Sequence, residues 1–125
     1  MDFAAKLAAG LQPGCVIGLS GELGAGKTQF VKGLARGLNV TDRVHSPTFA
    51  LLNIYGGGRL PLFHLDLYRL AGQDQIRAAG LEEYFSPAGV AVVEWIDRWQ
   101  GPSPGTFQRF SLEVINETER RITYE

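Results

Sequence analysis

Residues 21–28 read GELGAGKT, with the apolar run CVIGLS directly before them and an amphipathic run directly after. That succession leaves the chain little choice of fold. A short run without polar breaks at 15–20 is the pattern of a strand buried on both faces, as in a parallel sheet. Phe30, Val31, Leu34 and Leu38 recur at helical spacing, and Gly37 and Asn39 predict the end of that helix. The stretch between strand and helix satisfies G-x-x-x-x-G-K-[ST] at every required position: Gly21, Gly26, Lys27 and Thr28. Glycines let the backbone bend into a nest of inward-facing N–H groups that cradles phosphate oxygens. The helix beginning near Lys27 adds the positive end of its dipole. In such a loop the lysine, Lys27, is a point charge for the β- and γ-phosphates, and the Thr28 hydroxyl is a ligand for Mg²⁺.

The rest of the composition narrows the context. At 125 residues the chain is expected to form one domain, residues 1–125, with an ordinary apolar share of 45%. Twelve basic and thirteen acidic residues, dispersed along the chain, leave a net charge of −1. Tight, independent nucleic-acid binding needs clustered Lys and Arg, so any RNA is expected to be held by a partner. One cysteine, Cys15, rules out an internal disulfide, and its apolar neighbours predict a small buried hydrophobe. No apolar stretch approaches the ~20 residues of a membrane span. Gly10 and Pro13 interrupt anything like a signal-peptide core, so a cytoplasmic protein is expected.

Outside the glycine loop, Phe3, Leu7 and Leu11 predict a short helix over 2–11, with Asp2 placed to cap it. Residues 40–47 read as a loop. Residues 48–55 and 59–66 read as strands joined by Gly56, Gly57 and Gly58, the pattern of an antiparallel hairpin. A short helix is predicted over 73–79, an irregular segment over 81–89, a buried strand over 90–95, a loop over 100–105, and a final strand pair over 107–115 and 119–124. The fold class is α/β: a single P-loop NTPase-like domain whose mixed sheet contains an antiparallel hairpin insertion. A purely parallel, doubly wound sheet needs more helices than this chain offers.

Two acids close predicted strands, Asp66 in LPLFHLD and Glu94 in VAVVE. Ligands of open α/β sheets gather at the carboxyl ends of strands, so both suit a phosphate and metal site; position alone equally allows a solvated carboxylate. Ser46-Pro47-Thr48 is a rigid hydroxyl-bearing turn, either a segment that senses the γ-phosphate or a simple turn into a strand. His64 lies two residues before Asp66 and so on the same side of its strand, as a site group or a structural histidine. The expected nucleotide contacts are Gly21, Glu22, Leu23, Gly24, Ala25, Gly26, Lys27, Thr28, Gln29, Ser46 and Thr48. The expected catalytic residues are Lys27, Asp66 and Glu94, and the expected metal ligands Thr28 and Glu94.

In order along the chain stand GELGAGKT (21–28), SPTF (46–49), HLDLYRL (64–70), GLEEYF (80–85) and VVEW (92–95). This set resembles the TsaE family, also called YjeE, the bacterial ATPase component of the machinery that makes threonylcarbamoyladenosine in tRNA. The resemblance covers roughly residues 4–99. It implies a small P-loop domain with ATP and Mg²⁺ as cofactors, and weak ATP hydrolysis stimulated by TsaD-like and TsaB-like transferase subunits. By matching motifs it implies that Thr28 and Glu94 hold Mg²⁺, that Asp66 lies near the γ-phosphate and its attacking water, and that residues 46–49 form the switch. It places tRNA at one remove, reached through the complex. Family members usually begin with a threonine-bearing, nucleotide-contacting segment. Here residues 3–8 match the first helix itself, so weak discrimination between bases is expected. A basic residue of the last strand pair often touches the nucleotide, a role open to Arg120 or Arg121. The alternative to an ATPase is a regulatory module in which nucleotide merely orders a switch. A P-loop kinase would need a substrate insertion and a lid, and no N-K-x-D motif marks a GTPase.

Overall fold

The structure is a computed structural model that describes residues 2–21, 26–42, 52–68, 70, 72–85, 88–99, 106–114 and 120–124. Helix α1 (Asp2–Ala9) leads into β1 (Cys15–Gly21), and α2 (Lys27–Gly37) follows. Then come β2 (Leu52–Tyr55), β3 (Leu62–Asp66), the short α3 (Gln73–Ala78), β4 (Val90–Glu94), β5 (Thr106–Val114) and β6 (Arg120–Tyr124). Short 3₁₀ turns at Leu81–Phe85 and Ile96–Arg98 flank β4. Asp2, expected to cap the first helix, is already its first turn.

The strands form one six-stranded sheet in the order β2-β3-β4-β1-β5-β6. The four inner strands are parallel to one another, and β2 and β6 run antiparallel at the two edges. The expected mixed sheet with its antiparallel hairpin is therefore present, and β3 also serves as one of the parallel strands. The hairpin's second strand begins at Leu62 and not at 59. Pro61 lacks the N–H that a ladder needs and instead accepts a bond from the Val90 amide at 3.0 Å. The segment expected to be irregular, 81–89, holds the 3₁₀ turn Leu81–Phe85. Residues 48–51 of the first hairpin strand lie outside the described residues.

Alternation along the inner strands divides two apolar layers. Cys15, Ile17, Leu19, Leu62, Val90, Val92, Phe110 and Leu112 pack under α1 and α2 with Ala4, Ala8, Phe30, Val31 and Leu34. Val16, Leu65, Ala91 and Val93 pack on the other face with Ile76, Leu81 and Ile96. Helices α1 and α2 lie against each other, and a Cβ on Gly37 would collide with the Ala5 carbonyl, so only glycine permits that approach. Cys15 is buried and unpaired, as expected. Among the described residues no helix is long and apolar enough to cross a membrane.

Candidate functional site

The sheet register lines up the carboxyl ends of three neighbouring strands. Leu19 pairs with Glu94, and Glu94 pairs with Asp66. Register partners in a parallel sheet share a face, so both carboxylates project on the α2 side. β4 lies beside the strand that leads into the glycine loop, and β3 lies one strand farther out. Residues 22–25 of that loop lie outside the described residues, but both its flanks are described. Gly21 has φ 134°, and a side chain there would strike the Leu112 carbonyl of β5. Gly26, at φ 94°, is the left-handed cap from which α2 starts.

Lys27 is the first residue of α2 and is only 4% exposed. Facing a phosphate cradle, it would be expected to stand clear of the core; instead it folds back toward the end of β1. Its Nζ donates to the Gly21 carbonyl at 3.0 Å and lies 4.2 Å from the centre of the Trp95 ring. Burial pushes the ammonium below its ordinary pKa, and the Glu94 and Asp66 carboxylates pull the other way. The carbonyl and the aromatic face give partial compensation for a buried charge.

Asp66 is half-buried, and its Oδ1 accepts the Tyr68 amide at 3.0 Å, an Asx turn that ends β3. Burial is the main reason its carboxyl is raised above the usual range. The Tyr68 amide opposes that rise, Glu94 adds to it, and His64 and Lys27 oppose it. Glu94 is 7% exposed, and its Oε2 lies 2.5 Å from Nε2 of His64, which is fully buried. Because the carboxylate can only accept, Nε2 is the donor. His64 Nδ1 has no hydrogen-bond partner among the described residues. Directly after Glu94 the chain turns at Trp95 with φ 60° and ψ 42°, a left-handed conformation uncommon for a bulky residue. The Trp95 indole also packs on Tyr68 at 4.9 Å, so the turn builds an aromatic wall beside Lys27.

Of the residues anticipated from sequence, Lys27, Asp66 and Glu94 come together in one cluster. Thr28 follows Lys27 and is half-buried, and Gln29 is exposed on the same first turn of α2. Glu22, Leu23, Gly24, Ala25, Ser46 and Thr48 lie outside the described residues. The cluster also contains Trp95, which the sequence offered only as the last residue of VVEW, without a role. His64 was singled out only through its alternation with Asp66.

The family model described as "Threonylcarbamoyl adenosine biosynthesis protein TsaE" matches residues 1–122. The chain belongs to the TsaE family. Among curated relatives, the tRNA threonylcarbamoyladenosine biosynthesis protein TsaE of Bacillus subtilis is 43% identical over 121 residues, covering 96% of this chain and 75% of the relative. The TsaE protein of Treponema pallidum is 44% identical over 113 residues, covering 90% and 83%. The crystal structure of YdiB from Bacillus subtilis superposes with a TM-score of 0.74 at 38% identity, covering 98% of this chain and 76% of that one. TsaE membership ties the chain to tRNA threonylcarbamoyladenosine biosynthesis and agrees with the mixed, P-loop NTPase-like sheet.

Proposed function

We propose that this chain is a Mg²⁺-dependent P-loop ATPase of the cytoplasm that supports threonylcarbamoyladenosine formation in tRNA, turning over slowly alone and faster with TsaD-like and TsaB-like transferase subunits. The observation that carries this reading is the convergence of Lys27, Asp66 and Glu94 where α2 starts and where β3 and β4 end. A lone glycine loop would bind phosphate; two carboxylates and an ammonium in one cluster can also manage charge and a proton. Among the described residues no group of three or more His, Cys, Asp or Glu side chains is arranged to hold a metal. Mg²⁺ asks for no such cage, since it takes one or two protein ligands and fills its shell with waters and phosphate oxygens. Thr28 and Glu94 fit that donor set.

Held by Thr28 and Glu94, Mg²⁺ would supply positive charge against the negative charge that develops in phosphoryl transfer. The chain's own residues do the rest. Lys27 exchanges the Gly21 carbonyl and the Trp95 face for phosphate oxygens, a charge-assisted contact. Asp66 takes the proton of the attacking water; its burial makes it a stronger base than a solvated aspartate. Glu94, on the strand beside the loop strand, is the carboxylate that would hold the metal. The test is ATP turnover with Mg²⁺ by the purified chain, alone and with the two transferase subunits. Partner-stimulated hydrolysis that Asp66→Asn abolishes supports the reading. ATP binding without stimulated turnover leaves a nucleotide-gated module instead.

A further inference from the structure

We infer that His64 is a positioning residue for the metal-ward carboxylate, holding Glu94 by one oxygen so that the other is presented to Mg²⁺. The inference rests on the reading of Glu94 as a metal ligand. It starts from register: His64 pairs with Val92 and Asp66 with Glu94, so His64 lies one pleat back from Glu94 on the same face. A histidine there reaches forward along the adjacent strand, and its Nε2 meets Oε2 at 2.5 Å. The ring is sealed within the layer beneath α2, and among the described residues its hydrogen bond is made by Nε2 to Glu94, with Nδ1 unpartnered. That arrangement is costly for packing alone, since an apolar residue would fill the place without stranding Nδ1. It is explained if the bond has a purpose at its other end. A carboxylate at the end of a strand has free rotation about its last bonds, and a fixed donor on one oxygen removes it. Groups that orient metal ligands in this way typically contribute 10–100-fold to metal affinity when removed.

The experiment titrates Mg²⁺ into the chain saturated with a non-hydrolysable ATP analogue, reading half-saturation from the melting temperature. Affinity for the analogue in EDTA is measured in parallel by calorimetry. His64→Leu is expected to raise the free Mg²⁺ at half-saturation by about 10–100-fold, with affinity in EDTA unchanged. His64→Gln places an amide N–H where Nε2 stands and is expected to restore most of the loss; His64→Asn is too short and is expected to behave like the leucine variant. A folded His64→Leu with the wild-type Mg²⁺ response, or a glutamine variant no better than asparagine, overturns the inference. Should the leucine variant not fold, the glutamine–asparagine contrast decides alone. Glu94→Gln separates the two layers of the argument. If it leaves the Mg²⁺ response unchanged, the reading of Glu94 as a ligand fails. If it shifts the response while His64→Leu does not, only the positioning role of His64 is lost.

Discussion

At the amino ends of β1 and β3, Arg59 lays its guanidinium on carbonyls at the end of α1 and just beyond it. Nη1 bonds Leu11 at 3.0 Å and Nη2 bonds Ala8 at 2.8 Å. At the carboxyl ends of β1, β3 and β4, Lys27, Asp66 and Glu94 crowd together, and burial works against both the ammonium and the aspartate. The first arrangement suits the negative end of a helix and joins the hairpin to the N-terminal helix. Nothing about it calls for a ligand. The second sets buried charges against their own desolvation, which marks a candidate functional site and not a structural clasp.

The contrast breaks most visibly at Asp66. Asp66→Asn is expected to cut partner-stimulated turnover by ~10²–10⁴-fold, the range for a lost general base, while ATP–Mg²⁺ binding stays near wild type. Glu94→Gln is expected to weaken Mg²⁺-dependent binding and turnover together. Fluorescence titration and turnover assays on both variants check the division, and the opposite pattern would mean the two acids have exchanged roles. Lys27→Ala removes the charge-assisted phosphate contact, with an expected loss of about 1.5–3 kcal/mol, or tenfold or more in ATP affinity by calorimetry. An unchanged affinity would overturn the phosphate reading altogether.

Arg59→Ala sharpens the comparison from the other end. It is expected to lower stability by about 1 kcal/mol, since the side chain is exposed and its bonds are partly screened, and to leave ATP affinity unaltered. Denaturant unfolding and a binding titration on the same preparation test both halves. The smallest effect is one of sign. The Asp66 carboxyl is raised, so the folded chain keeps that proton to a higher pH than the unfolded chain does. Ionising it therefore costs stability. The cost is absent below the ordinary aspartate value and complete once pH exceeds the raised one. Ligand-free Asp66→Asn should then melt slightly above wild type at neutral pH, with the gap closing in acid. A lower melting temperature at neutral pH would show that the carboxylate is held more favourably than its burial implies.

What could be read from sequence was what depends on neighbours in the chain. The strand, glycine loop and helix over 15–38 declare themselves by local periodicity, and Asp66 and Glu94 by standing at strand ends. The all-apolar run of β4 pointed to a central place beside β1, with β3 farther out, and the sheet has that order. The rest of the order was not readable, because β1 takes partners from far along the chain. The parallel role of β3 followed from that order, and so did the His64–Glu94 bond, which needs β3 beside β4. The alternation of His64 with Asp66 was the available signal and left its partner unnamed. The burial of Lys27 had no local signal at all. It depends on the left-handed turn that brings Trp95 over the ammonium, in a residue type that rarely adopts one.

The sheet order also governs when the glycine loop acquires its support. During synthesis β1 emerges early, yet Cys15 finds its neighbours only in Val90 on one side and Thr106 on the other. Until β4 has left the ribosome, the strand that anchors the loop has no ladder on either edge, and until β5 has left it one edge stays open. A nascent chain arrested before that point would expose an apolar β1 and hold no nucleotide, leaving a template for aggregation or a substrate for a chaperone. The element that announces itself first in the sequence is thus among the last to become competent in the folded molecule.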